Sequence, residues 1–311
     1  MADRISPSGR VQSYRCARLS LEGLSVGDAF GQQFFNSHLA AEAIGSRTAP
    51  PGTWRTTDDT AMALSIFQEL VARGAIDCEE LARNFLRTYA ADPRRGYGGA
   101  MHDYFEALAR GTAWPEASRA LFEGEGTMGN GAAMRVAPLG AYYAYDFERA
   151  AAEARRSAEV THAHPEGQAG AIAVAVATAW TWQWARSGRR EFPVELIRVA
   201  SEFTPPGATR DGILTALAIP LDEWEFTAAE RLGNGSRVTA PDTVPFCLWC
   251  AAAHLTDYSE ALWTAVRVGG DIDTNCAIIG GMVAMGGDIE AIPFAWRKQR
   301  EDLEWPREPE E

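Results

Sequence analysis

Near its C-terminal end the chain reads Val268-Gly269-Gly270-Asp271-Ile272-Asp273-Thr274, two carboxylates one residue apart behind a glycine pair. Ionised Asp side chains cannot be buried unpaired without a large solvation cost, so the stretch suits a hard cation better than a packed core. The glycines permit a sharp turn, and the apolar run Cys276, Ala277, Ile278, Ile279 predicts a helix directly after it. A single Asp-x-Asp in that place is better explained as a helix cap, because Asp and Thr are ordinary capping residues.

A second stretch changes that balance. Trp54-Arg55-Thr56-Thr57-Asp58-Asp59-Thr60 again sets hydroxyls and carboxylates directly before an apolar helix, Ala61-Met62-Ala63-Leu64. Two such clusters suggest helix starts that face each other across a site. Carboxylates converging there without counter-charge would repel one another and shift their pKa values upward. An oxygen-ligated divalent ion, Mg²⁺ before others and with Mn²⁺ able to substitute, resolves the repulsion.

Three further stretches carry polar chemistry. Gly124-Glu125-Gly126-Thr127-Met128-Gly129-Asn130-Gly131-Ala132-Ala133 is a glycine-rich turn ahead of a helix, where backbone amides can hold an anion; by glycine content alone a flexible inter-helix loop is the better explanation. In Thr161-His162-Ala163-His164-Pro165 a histidine at a helix end is ordinarily a cap or a surface residue. Gly and Pro explain most of Asp92-Pro93-Arg94-Arg95-Gly96-Tyr97-Gly98 as a turn.

Taken together and in order, Gly27-Asp28-Ala29-Phe30-Gly31, Thr57-Asp58-Asp59-Thr60, Gly129-Asn130-Gly131-Ala132-Ala133-Met134-Arg135, the Thr161 to Pro165 stretch and the Gly269 to Thr274 stretch resemble the ADP-ribosylglycohydrolase family, over nearly the whole chain. The resemblance implies a single-domain, all-α orthogonal helical bundle and Mg²⁺-dependent release of ADP-ribose from a modified protein side chain, a nucleic-acid end or a small conjugate. It implies two Mg²⁺ ions held by Thr57, Asp58, Asp59, Asp271, Asp273 and Thr274. Gly126, Thr127, Met128, Gly129, Asn130 and Gly131 would lie along the pyrophosphate and distal ribose, with His162 beside the ligand and His164 a weaker contact. Tyr97 is placed near the cleft to stack on a base or ribose, Asp103 to reach the site, and Asp28 to brace the cleft as a buried acceptor.

Cleavage at an anomeric carbon passes through an oxocarbenium-like state that water traps, and Asp58 or Asp271 is the expected acceptor of the water's proton. One departure stands out. Many family members carry a Glu shortly after the Gly-Asp-Ala-x-Gly motif, where this chain has Gln32-Gln33-Phe34-Phe35-Asn36 and no acid before Glu42. Activated water, a substitute carboxylate, or a protein that binds ADP-ribose with weak or no turnover would each account for it.

The elements around these residues read as helices. Apolar positions recur at helical spacing over 14 to 30, 61 to 73, 81 to 89, 148 to 160, 166 to 187, 193 to 203, 208 to 218, 241 to 254, 258 to 268, 275 to 285 and 288 to 300, and alternating β-branched runs are almost absent. Gly- and Pro-rich loops fall at 45 to 57, 92 to 99, 124 to 131, 204 to 210 and 232 to 242, and no change of composition divides the chain.

With 311 residues, 46% hydrophobic and 23% charged, the chain can bury a proper core and is not disordered. A net charge of −13 argues against a stable nucleic-acid complex, since phosphate binding rests on clustered cations. The acidic, Pro-broken end from about 301 reads as a solvated tail. Five cysteines without a second Cys-x-x-Cys to match Cys247 and Cys250 read as buried thiols rather than a zinc site. The Ala/Val-rich run 169 to 182 is too short to span a bilayer, and the N-terminus lacks the apolar core of a signal peptide. A cytoplasmic monomer, without membrane attachment, is expected.

Overall fold

A computed structural model describes residues 7–35 and 37–310; the N-terminal stretch 1–6, Asn36 of the Gln32-to-Asn36 segment and the final Glu311 lie outside the described residues. Helices follow one another throughout: α1 (Pro7–Gln32), α2 (Ser37–Ser46), α3 (Asp58–Arg73), α4 (Cys78–Ala91), α5 (Gly99–Ala109), α6 (Trp114–Ala120), α7 (Ala137–Tyr142), α8 (Phe147–Glu159), α9 (Pro165–Arg186), α10 (Glu195–Phe203), α11 (Ala208–Leu217), α12 (Glu225–Leu232), α13 (Ala240–Ala253), α14 (Tyr258–Val268), α15 (Ile272–Val283) and α16 (Phe294–Gln299). Extended pairing among the described residues is limited to two isolated bridges, Trp54 with Arg300 and Gly129 with Thr239. The all-α expectation holds.

Most of the periodic segments become helices close to their expected bounds. The exceptions are short. The α2, α5, α6, α7 and α12 helices were not foreseen: Gly98-Gly99 starts α5, Pro115 and Pro138 stand in α6 and α7, and α2 and α12 are short. The expected helix over 288 to 300 divides at Pro293 into a 3₁₀ turn, Ile289–Ala291, and α16. The Ala/Val-rich run lies inside α9, which is apolar on nearly every face because other helices surround it. Among the described residues no helix is long and apolar enough to cross a membrane. All five cysteines are free, and Cys247, Cys250 and Cys276 are buried thiols whose pKa burial pushes up.

Two helices from opposite ends of the chain, α1 and α15, pack along most of their lengths, and glycines set how close they come. A Cβ at Gly23 would lie 2.4 Å from the Gly280 carbonyl oxygen, one at Gly27 2.1 Å from that of Cys276, and one at Gly31 2.7 Å from that of Ile272. The spacing of four residues puts all three on one face of α1. Gly280 answers from the other side: a Cβ there would lie 2.5 Å from the Gly23 carbonyl oxygen, which also accepts the Tyr258 hydroxyl at 2.6 Å. This seam carries Asp28 on α1 up against the turn that holds Asp271 and Asp273.

The end of the chain is held rather than free. Tyr14 donates its hydroxyl to the Pro306 carbonyl (2.8 Å), Arg15 pairs with Glu308, and the Arg18 guanidinium lies 5.1 Å from the centre of the Trp305 ring. Glu301, counted from the sequence among solvated acids, accepts from Thr56 and Arg95. Residues 301–310 are all half-buried or exposed.

A carboxylate also anchors α11. Glu166, in the first turn of α9, accepts from the amides of Ala208 (2.7 Å) and Thr209 (2.8 Å) and from the Thr209 hydroxyl (2.6 Å). Burial works to raise its pKa, but these donors at a helix N-terminus outweigh it and hold the carboxyl below its usual range.

Two outcomes test this packing. Gly27→Ala is expected to destabilise the fold by about 1–3 kcal/mol through overpacking, even though alanine is the better helix former by about 1 kcal/mol; a urea midpoint that stays level or rises would show that the seam does not need the glycine. Because the folded pKa of Glu166 is depressed, its contribution is present above the unfolded value near ~4.3 and is lost as pH falls through the folded one. Glu166→Gln should therefore cost about 1–2 kcal/mol near neutral pH, with the gap to wild type closing under acid in pH-dependent denaturation; a gap constant with pH would refute the assignment.

Candidate active site

The site is built outward from Asp28. It is fully buried and accepts from the Thr57 amide (2.9 Å), the Thr57 hydroxyl (2.9 Å), the Thr60 amide (3.3 Å) and the Thr60 hydroxyl. Asp28 thus grips the first turn of α3, as a buried acceptor should, while burial pushes its pKa up to about 6. Thr57 is the N-cap of that helix: its hydroxyl proton goes to Asp28 and its oxygen accepts the Asp59 amide at 3.3 Å. With both ends of the threonine committed, Asp58 and Asp59 are aimed forward. The Asp58 amide is itself used, donating to the Arg95 carbonyl at 2.8 Å.

The opposing wall comes from the turn before α15. Gly269 and Gly270 have φ of 69° and 82°, and a Cβ on Gly270 would lie 2.0 Å from the Asn234 carbonyl oxygen, so the turn requires glycine there. Asp271 accepts from the Asn130 side chain at 2.7 Å, and that amide also donates to the Thr243 hydroxyl at 3.0 Å. Asp273 takes the Thr274 amide at 2.8 Å.

Asp58, Asp59, Asp271, Asp273 and Thr274 line one cavity of about 700 Å³, together with Gly126 to Gly131 and His162. Burial is the first cause of a raised pKa at every one of the four carboxyls, and neighbouring carboxylates add to it at Asp58, Asp59 and Asp273. Asp58 rises to about 7, with Asp28 the leading neighbour; Asp273 rises to about 8, with Asp271; Asp59 goes well above its usual range, with Asp273. At Asp271 the Asn130 bond works against burial without cancelling it. Lining one cavity from opposite ends of the chain, the two acidic motifs meet there.

The donor set fits a hard divalent cation. It consists of carboxylate and hydroxyl oxygens, and the buried Oδ2 of Asp59 has no hydrogen-bond partner. Among the described residues no three acidic, His or Cys side chains are already gathered at the spacing of a finished metal cluster. What the fold supplies is two acidic pairs on facing walls, close enough to perturb each other.

The glycine loop forms the cavity's other side. Gly126, at φ 73°, sits where a Cβ would lie 2.7 Å from the His164 amide nitrogen. Of the loop amides expected to cradle an anion, Gly129 donates to the Thr127 hydroxyl (3.0 Å) and Asn130 to the Val238 carbonyl (3.3 Å), so these two stiffen the loop instead. Met128 is half-exposed at the mouth. His162 is buried with Nδ1 2.7 Å from the Thr161 hydroxyl, and burial, then the Arg135 charge, holds its pKa well below the usual range, so the ring is neutral. Its other edge faces Gly129 and Gly131. His164 caps α9 through the Glu166 amide and also lines the cavity.

Two expected contacts fall elsewhere. Tyr97 packs inward, edge-on to Tyr89 and Phe105, while its neighbours Gly96 and Gly98 line the cavity in its stead. Asp103 is exposed on α5, away from the lining. Thr57 lies just behind the wall and acts first through Asp28. Among the lining residues given no role from sequence, Arg135 is the one at the centre of the electrostatics. Arg135 is fully buried, donates to the Ser157 carbonyl (3.2 Å) and the Thr161 hydroxyl (2.8 Å), and sits over the Phe85 ring. Burial lowers its pKa to about 10, which leaves it charged, and it is the cation that opposes the rise at Asp58. Its place at the end of the Gly129-to-Arg135 motif was the available signal.

Asp28→Ala would strand two backbone amides and two hydroxyls, an expected loss of about 2–4 kcal/mol, and faster hydrogen exchange at Thr57 and Thr60. Asp28→Asn, which keeps one acceptor oxygen for both amides, should lose less; equal losses for the two variants would contradict this account of the brace.

A sequence model described as ADP-ribosylglycohydrolase matches residues 12–308. Human ADP-ribosylhydrolase ARH3 is 28% identical over 95% of this chain and 92% of its own length. The ADP-ribosylarginine hydrolase Tri1 of Serratia proteamaculans is 22% identical over 90% of this chain and 74% of its own length. A solved structure described as an ADP-ribosylglycohydrolase-related protein complex superposes with a TM-score of 0.67 at 27% identity, covering 93% of each chain. With its acidic motifs, glycine loop and buried brace arranged around one cavity, the chain belongs to the ADP-ribosylglycohydrolase family.

Proposed function

We propose that this protein is a Mg²⁺-dependent hydrolase that breaks the glycosidic bond between ADP-ribose and an acceptor. The observation that carries the reading is the meeting of Asp58 and Asp59 with Asp271 and Asp273 across a cavity whose far side is the glycine loop. The relatives are named as hydrolases of ADP-ribosyl groups, and this supports the same bond as the target.

Asp58, Asp59, Asp271, Asp273 and Thr274 would hold the cations, with Thr57 offering the lone pair left after its bond to Asp59. Bound there, the ions supply Lewis-acid polarisation and neutralise the carboxylates. The chain's own groups do the rest. The cavity's size suits a nucleotide-sized ligand. The Gly126-to-Gly131 loop, stiffened by Thr127 and Val238, gives the diphosphate and distal ribose a fixed wall, with neutral His162 behind it.

In the reaction the bond from the anomeric carbon to the acceptor atom breaks, the oxygen of water bonds to that carbon, and the acceptor leaves with a proton. Asp58 or Asp271 takes the water's proton: Asp58 lines the cavity at the start of α3, and Asp271 is oriented by Asn130. Substrates would be ADP-ribosylated proteins, nucleic-acid ends or small conjugates.

A second reading has a specific observation behind it. Where many family members carry a Glu, Gln32 is exposed and Gln33 donates to the Ala29 carbonyl at 2.9 Å, so no carboxylate stands there. That arrangement favours an ADP-ribose-binding protein with little turnover.

Incubation with ADP-ribosylated arginine, serine and nucleobase substrates, with EDTA and with Mg²⁺ restored, separates the two. Release from at least one substrate is expected, abolished by EDTA and reduced about 10²-fold or more in Asp58→Asn or Asp271→Asn. Metal-independent release would refute the proposal, and calorimetric binding of ADP-ribose without any release would establish the binding protein.

A further inference from the structure

The loop over 92 to 99 contributes Gly96, Gly98 and Gly99 to the cavity wall, yet its glycines and proline give it little of its own to stand on. Tyr97 anchors it in the core, and its backbone meets the site through a bond from the Asp58 amide to the Arg95 carbonyl. The Gly96 that follows has φ 101°, and a Cβ there would lie 3.2 Å from Asp58 Oδ1, so the loop backbone runs directly beside that carboxylate. Whatever fixes Arg95 therefore fixes the surroundings of Asp58.

Arg95 is fixed from the far end of the chain. Its Nη1 donates to Glu301 Oε1 at 2.6 Å and to the Thr56 carbonyl and hydroxyl, each at 3.0 Å. The same Glu301 oxygen accepts the Thr56 amide at 2.9 Å and the Thr56 hydroxyl at 2.6 Å. The backbone carries this carboxylate into place: Trp54 donates to the Gln299 carbonyl at 2.6 Å and Glu301 to the Trp54 carbonyl at 2.9 Å, while Arg300 bonds to Glu22 on α1 at 3.0 Å. Glu301 touches no part of the cavity lining. It joins the segment before α3 to the loop that faces it.

We propose that Glu301 is a positioning residue for Asp58, locking the 95–96 backbone beside that carboxylate through Arg95 and Thr56. The alternative partner for the Arg95 guanidinium is Asp92, 3.4 Å away within its own loop. With Glu301 removed, Arg95 keeps its bonds to Thr56 and its pairing with Asp92, which Arg55 also engages, but loses the carboxylate that fixes Arg95 and Thr56 together, and the bond of the Asp58 amide to the 95–96 backbone loosens. The inference rests on the reading that Asp58 serves the active site, and it deepens that reading by adding a residue outside the cavity.

The test uses the full chain carrying Glu301→Ala and Glu301→Gln. Amide hydrogen exchange is read at Asp58 and over 95–99, with amides of the α1–α15 seam as the internal reference. Mg²⁺ affinity is read by calorimetry, and kcat and KM are read on whichever substrate the wild type cleaves. In Glu301→Ala, exchange at Asp58 and the loop should speed up while the seam stays as in wild type, and Mg²⁺ affinity should fall about tenfold. The effect on turnover should appear in kcat more than in KM. Glu301→Gln keeps an acceptor for Thr56 but loses the charge opposite Arg95, so partial recovery is expected. Unchanged exchange at Asp58, or exchange that rises equally in the seam, overturns the proposal, as does failure of both variants to fold. Should the wild type cleave no ADP-ribosyl substrate, the proposed activity fails while exchange and Mg²⁺ titration still decide the role of Glu301.

Discussion

Side-chain-free contact between α1 and α15 is the constraint from which the site follows. With Gly23, Gly27 and Gly31 on one helix and Gly280 on the other, the two backbones approach more closely than any Cβ would permit. This closeness gives α1 two uses at once. Its glycine face seats α15, whose first turn carries Asp271 and Asp273, and the adjoining Asp28 reaches the start of α3. A wider helix pair would separate the acidic motifs that the chain keeps far apart in sequence, and with a cavity wall missing the carboxylates would be solvated rather than poised.

The electrostatics run the other way from the packing. Four carboxylates facing one another in a cavity are unfavourable on their own, and the fold offsets only part of that. Asp271 has Asn130 and Asp273 has the Thr274 amide, while Asp28 behind them takes four donors. The buried Oδ2 of Asp59 has no donor. Arg135 offsets part of the repulsion from behind, charged, fully buried and held by Ser157 and Thr161, so that its charge acts on Asp58 without occupying the cavity. The more deeply buried pair, Asp58 and Asp59, is the one left for a ligand or cation to satisfy.

The legible parts of the sequence were those in which a local rule and the fold agree. Long amphipathic segments such as those of α3 and α8 show their helical period directly, and the acidic motifs stand out because two of them, each before an apolar run, exceed what capping alone requires. The bracing role of Asp28 came from the family resemblance, and its four donors bear it out. What stayed hidden depends on partners distant in sequence. Tyr97 looks like a stacking residue in a glycine turn, but its side chain is drawn into the core by Tyr89 and Phe105. Glu301 looks like one more acid in a solvated tail until Trp54 is seen pairing with the backbone beside it. Arg135 was quoted within a motif without a role, because nothing local tells that a guanidinium will be packed against Phe85.

These three cases share a physical cause, and it bears on how the site is stabilised. The carboxylates that do the chemistry are fixed by short-range caps and turns, which a sequence displays. The groups that decide their electrostatic surroundings come from other elements: Arg135 from the segment before α7, Asn130 from the glycine loop, Glu301 from beyond α16. Each imposes a direction on a carboxylate or on the backbone next to it, and none is interchangeable with a residue nearby in the chain. Asp58 stands where these influences cross. Its amide is held by Arg95, its charge is opposed by Arg135 and raised by Asp28, and it faces Asp271 across the cavity. Its near-neutral titration is therefore a property of the assembled fold, and any substitution that moves one of those elements should be felt there before it is felt in the core.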